Sequence, residues 1–225
     1  MASTASEALV AALERVLATE EAERASRFRF SHLRESYITT HGILRCLLGR
    51  YLDLDPAGIC FVYSARGKPA LDSAGGLQFN LTHSDSMAAI ALTTGCPLGI
   101  DMEHTRPLAD IEQIAGQYFC PEETAEILSL PLGERERAFF SCWTRKEAYI
   151  KAIGDGLSCG LDSFRVSVQP DAPARLIHIG GDTVAPGSWS LHNLSLAPDY
   201  AAALAYQDRP RTISIFPLHN LSEFL

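Results

Sequence analysis

The chain has 225 residues, 47% of them hydrophobic, 20% charged and 8% aromatic, enough to bury a core without disulfides or structural metals. Its 19 Lys and Arg against 27 Asp and Glu leave a net charge of −8, which argues against a nucleic-acid partner, because phosphate neutralisation requires a basic face. No uninterrupted run of hydrophobic residues exceeds seven, far short of the roughly 20 residues of a membrane helix.

At the N-terminus, Met1–Val16 carries Glu7 and Glu14 and lacks a basic start followed by an apolar stretch, so no signal peptide is expected. Thr19 followed by Glu20, Glu21 and Glu23 predicts a capped, acid-rich helix start. Ser31–Tyr51 has the spacing of a long amphipathic helix, broken at Asp53–Pro56. A strand is predicted at Ile59–Tyr63 and a turn at Ala65–Pro69. Short strands follow at Phe79–Leu81 and Ala88–Leu92 around a polar Thr82–Ser86 loop. The Thr93–Pro97 turn then leads to Leu98–Glu103 as a hairpin. Pro121–Leu130 reads as a helix with proline at its first position, and a second long helix runs from Glu134 to about Ile153, stopped by Gly154. Strands at Phe164–Val168, Ser188–Leu196 and Tyr200–Tyr206 complete the set. The six cysteines form no CxxC and no Cys/His pair at zinc spacing, so a reduced, cytoplasmic protein is expected.

Asp101 and Glu103 lie two apart on a strand and leave from one face. By themselves they fit a solvated hairpin edge better than a metal site. Glu147 shares a helix face with Phe140, Trp143 and Ile150, where a carboxylate is costly to bury unless paired or metal-bound. An intrahelical pair with Lys151 is the simpler reading. Should the three carboxylates meet, an all-oxygen site suits Mg²⁺ with phosphate as a further ligand. The cations are unevenly composed: only Lys68, Lys146 and Lys151 are lysines. From Arg24 to Lys68 the chain carries an excess of five positive charges, suited to a polyanionic small molecule. No Walker A, GxGxxG or GxSxG motif is present.

The stretches Gly99-Ile100-Asp101-Met102-Glu103 and Trp143-Thr144-Arg145-Lys146-Glu147-Ala148-Tyr149-Ile150-Lys151 resemble the GxDxE and WxxKExxxK motifs of the surfactin-type 4′-phosphopantetheinyl transferases. Asp101 and Glu147 stand 46 residues apart. Gly67-Lys68-Pro69 and Phe79-Asn80-Leu81-Thr82-His83-Ser84 are similar to the family's GKP and FNxSH stretches, with Thr82 in place of serine. The segment Met1–Ala18 departs from the family's opening strand and reads as helical or disordered.

The resemblance implies an α+β monomer of two similar halves, 1–98 and 99–225, related by a pseudo-twofold axis with the active site in the cleft between them. It implies that coenzyme A is the substrate and that an apo acyl or peptidyl carrier protein receives its phosphopantetheine arm. Asp101, Glu103 and Glu147 would hold Mg²⁺, for which Mn²⁺ can substitute, and Glu147 and Lys151 would be catalytic. Arg24, Arg66, Lys68, Asn80, Thr82, His83, Lys146 and Lys151 would hold the coenzyme. Carrier docking is expected to involve Gln117–Leu128, with Tyr118 and Phe119, although both aromatics are better explained as core. Two other readings stay open: a Mg²⁺-dependent phosphohydrolase using the same carboxylates, and a catalytically silent coenzyme A-binding or carrier-binding module.

Overall fold

The computed structural model describes residues 7–72, 76–154 and 160–218; the first residues of the Met1–Ala18 segment and Cys159 lie outside them. The chain divides into two compact units, Met1–Val62 with Ile213–Leu225, and Tyr63–Thr212. The expected division at 98/99 falls inside the second unit, where it would cut a continuous strand.

The first unit holds α1 Glu7–Glu14, α2 Thr19–Ser26 and α3 Ser31–Leu52. Leu9, Val10 and Leu13 of α1 are buried, as are Ile38, Leu44 and Leu48 of α3. The helices approach closely at Gly42, where a Cβ would lie 2.7 Å from Leu13 Cβ. Thr19 is the first helical residue and Ala18 the cap; Glu21 Oε2 reaches back to accept the Ala18 N–H at 2.9 Å. Glu21 is also the partner of the buried Arg45, at 2.5 Å, and Arg45 donates to the Pro56 and Ile59 carbonyls at 3.0 Å each. A buried guanidinium is tolerated here because its donors are used. β1, Phe61–Tyr63, spans the point in the chain where this unit ends.

The second unit continues with β2 Pro69–Leu71, β3 Leu77–Ser84, β4 Met87–Thr94, β5 Leu98–His104, α4 Ile111–Tyr118, α5 Pro121–Ser129 and α6 Leu132–Ile153. It ends with β6 Phe164–Val166, β7 Leu176–Ile179, β8 Ser190–Asn193 and β9 Tyr200–Tyr206. β3 and β4 form an antiparallel hairpin in which Ser84 faces Met87, turned by Asp85 at φ 50°. The expected Thr82–Ser86 loop is therefore mostly strand. Its polar residues alternate along β3 and spend their hydrogen bonds on a neighbouring strand instead of on solvent. β5 pairs with β9 and β9 with β8, all antiparallel, so the hairpin expected between Ala88–Leu92 and Leu98–Glu103 does not form a ladder. α4 and β7 are additional to the expected elements. α6 packs over β5 and β9 and closes a core of Phe139, Phe140, Tyr149, Ile150, Phe164 and Val166. Antiparallel strands with helices against them make this an α+β fold.

Candidate active site

The site is built where α6 crosses β5, and Gly99 permits the crossing. A Cβ there would lie 2.1 Å from Ala148 O and 2.3 Å from Ala152 N, so any side chain would push the helix away. With backbone on backbone at that point, the next residues on the same face of β5, Asp101 and Glu103, meet Lys151 and Glu147 of α6. Lys151 Nζ stands 2.6 Å from Asp101 Oδ1 and donates to Thr82 Oγ1 at 3.3 Å.

Alternate residues of β3 brace β5 from the other side. Asn80 Oδ1 accepts the Ile100 N–H at 2.8 Å, and Thr82 Oγ1 donates to Asp101 Oδ1 at 3.3 Å. Ser84 Oγ donates to Glu103 Oε2 and accepts the His104 N–H, both at 3.0 Å. Ser84 is thus a site residue that motif matching passed over. The period-two polar set Asn80, Thr82, Ser84 is the pattern that could have found it.

Electrostatically the three carboxylates act on one another. Burial pushes the Glu147 carboxyl up, Asp101 raises it further, Lys151 opposes and Glu103 adds. Burial likewise raises Glu103, while its bond from Ser84 lowers it and Asp101 raises it. Among the described residues no three carboxylate, imidazole or thiol groups converge tightly enough to hold a metal ion; Lys151 stands against Asp101. The donor set nonetheless fits a hard divalent cation. It is all oxygen, its negative charge exceeds what Lys151 offsets, and Asp101 Oδ2 is buried without a hydrogen-bond partner.

The other expected site residues are dispersed. His83 is exposed on the face of β3 opposite Thr82. Arg66 is exposed in the turn before β2. Arg24, on α2 of the first unit, is exposed with its guanidinium over the Tyr37 ring at 5.5 Å. Lys68 is half-buried, and its Nζ donates to Leu98 O at 3.1 Å and Ala152 O at 2.8 Å.

Lys146 departs most from expectation. Its side chain is 0% exposed, pairs with the equally buried Glu123 at 2.8 Å, and donates to Leu161 O at 2.7 Å and Phe164 O at 2.6 Å. The ammonium also lies over the Phe164 ring at 4.3 Å. It is held inside the core by strong acceptors with no exposed surface, and contact with the coenzyme would require it to leave them. Arg145 beside it is a second internal pin, bonded to Asn193 Oδ1 at 2.9 Å, Ser167 O at 2.7 Å and Gln169 O at 2.9 Å. Of the expected docking aromatics, Phe119 is core. Tyr118 is partly exposed with its ring edge-on to Trp143.

Residues 97–205, which hold all three carboxylates and α6, match the 4′-phosphopantetheinyl transferase superfamily (ACPS). The chain is 40% identical over 190 residues to the 4′-phosphopantetheinyl transferase HetI of Nostoc sp., covering 83% of this chain and 76% of that protein. It is 28% identical over 221 residues to the 4′-phosphopantetheinyl transferase Sfp of Bacillus subtilis, covering 93% and 96%. A further Bacillus subtilis 4′-phosphopantetheinyl transferase is 32% identical over 161 residues, 70% of each chain. Identity at this level over most of both chains, with the acidic strand and the Glu147 helix inside the matched region, makes the chain a member of the Sfp-type 4′-phosphopantetheinyl transferase family.

Proposed function

We propose that the chain transfers the 4′-phosphopantetheine group of coenzyme A to a serine hydroxyl of an apo acyl or peptidyl carrier protein, releasing 3′,5′-ADP. The observation that carries this reading is the meeting of Asp101, Glu103, Glu147 and Lys151 at one crossing of β5 and α6, in a member of this family.

The chemistry follows from the groups present. A serine hydroxyl is a weak nucleophile, and a carboxylate whose pKa is raised is a better base for it than an ordinary glutamate. Glu147 is so raised. It takes the hydroxyl proton as the serine oxygen bonds to the phosphorus bearing the pantetheine arm. The bond from that phosphorus to the bridging pyrophosphate oxygen breaks, and 3′,5′-ADP leaves with the electron pair. Lys151 places positive charge beside Asp101 where the leaving phosphate accumulates negative charge. Asp101, Glu103 and Glu147 would hold a divalent cation, Mg²⁺ or Mn²⁺, which when bound supplies further positive charge for the pyrophosphate. Arg66 and His83 would serve the coenzyme's phosphates and adenosine.

Incubation with coenzyme A, Mg²⁺ and apo carrier proteins of fatty-acid, polyketide and nonribosomal-peptide type tests the proposal by mass spectrometry. The expected result is a carrier heavier by one phosphopantetheine. Consumption of coenzyme A without a carrier would make the chain a phosphohydrolase, and binding without any turnover would make it a silent module; either overturns the reading.

A further inference from the structure

Lys68 sits in a turn that holds its main chain at both ends. Ser64 N donates to Lys68 O at 2.9 Å, Lys68 N donates to Ser64 Oγ at 3.0 Å, and Gly67 takes φ 82° between them. From this fixed base the side chain runs over Gly154, where a Cβ would lie 3.1 Å from Lys68 Cδ. Its ammonium ends on two carbonyls from different elements. Leu98 O belongs to the first residue of β5, and Ala152 O to the last turn of α6. Carbonyls in a helix's last turn lack intrahelical donors and favour a cation. These two carbonyls flank the Gly99 contact, and Lys151, adjacent to Ala152, is the partner of Asp101.

We propose that Lys68 is a positioning residue, whose ammonium clamps the start of β5 to the end of α6 and so sets the spacing of Asp101 from Lys151 and Glu147. Its catalytic consequence rests on the proposed transfer reaction; the clamp itself does not. Burial holds this ammonium at about 8, below its ordinary 10.5, as suits a group facing main-chain carbonyls more than water.

The test compares Lys68→Met, which keeps the stem and removes the charge, with Lys68→Ala, which removes both. Amide hydrogen exchange is followed at residues 99–101 and 150–152. Both variants are expected to exchange there about tenfold faster than the parent chain. Lys68→Met should bind coenzyme A by calorimetry within about twofold of the parent while kcat falls by roughly 10²-fold, the size of loss that a 1 Å misplacement produces. Unchanged exchange in either folded variant overturns the clamp. So does a tenfold or greater loss of coenzyme A affinity in Lys68→Met with kcat preserved, because the ammonium would then belong to the ligand. Should Lys68→Met not fold, Lys68→Ala decides the question by exchange alone. Absence of transfer by the parent chain would fail the functional proposal and leave the exchange result standing.

Discussion

Replacing Lys146 by Met separates a core lysine from a ligand-binding one. In the native chain its ammonium has Glu123 at 2.8 Å and the Leu161 and Phe164 carbonyls at 2.7 and 2.6 Å, with no exposed surface. Methionine matches the stem but abandons those acceptors and leaves Glu123 as an uncompensated buried charge, although the carboxylate keeps its bonds from Cys120 N at 3.0 Å and Val166 N at 2.7 Å. Breaking such a pair from one side costs about 3–5 kcal/mol. At roughly 2–4 °C per kcal/mol for a chain of this size, Tm should fall by roughly 6–20 °C. Adding Glu123→Gln neutralises the stranded charge while retaining an acceptor, so the double variant should lie above the sum of the single losses by about 1–3 kcal/mol of coupling. Denaturant and thermal unfolding of the four proteins measure this cycle. Calorimetry on the folded fraction should find coenzyme A affinity unchanged. A Tm within about 2 °C of the parent, together with lost coenzyme A affinity, would refute the core assignment and return Lys146 to the ligand.

Gly99→Ala places a methyl within 2.1 Å of Ala148 O, so β5 and α6 must separate; a loss of about 1–3 kcal/mol in unfolding and of roughly 10²-fold in kcat is expected, and normal turnover would show that the crossing does not set the site. The Lys68 ammonium titrates at about 8 folded and at its ordinary 10.5 unfolded. The unfolded chain therefore binds more protons between those values, and this group's contribution to stability rises with pH from about 8 to 10.5 and is level below. Denaturation midpoints across that window should lose this rise in Lys68→Met, and equal slopes in the two proteins would contradict it. Glu147→Gln should retain coenzyme A binding and lose carrier modification, with near-normal transfer counting against Glu147 as the base. EDTA should abolish transfer and Mg²⁺ or Mn²⁺ restore it, whereas turnover in chelator would remove the cation from the scheme.

Where the chain's own periodicity carries the information, sequence and structure agree. The 3.6-residue spacing of apolar positions marks α3 and α6 to within two residues at either end, and Gly154, at φ 76°, stops α6 where a left-handed residue is needed. Tyr200–Tyr206 is a strand at its predicted bounds. The sequence states the identities and order of Asp101, Glu103, Glu147 and Lys151 outright, and the structure brings these groups to one crossing of β5 and α6. Partnership was not legible. β5 pairs with a strand about 100 residues away and not with β4 beside it, and no local pattern encodes that choice.

The three lysines show the division most clearly. The sequence by itself determined that compact ammonium groups stand at Lys68, Lys146 and Lys151 among arginines elsewhere. Tertiary structure decided that they do three different things. Lys146 and Lys151 are five residues apart on α6, a rotation of about 140° about the helix axis. One therefore points into the core toward Glu123 while the other meets Asp101 at the crossing. Lys68 turns to the carbonyls of Leu98 and Ala152. What a charged side chain does depends on the acceptors within its reach, and here those acceptors come from segments about 15 to 85 residues away in sequence, brought together only by the fold.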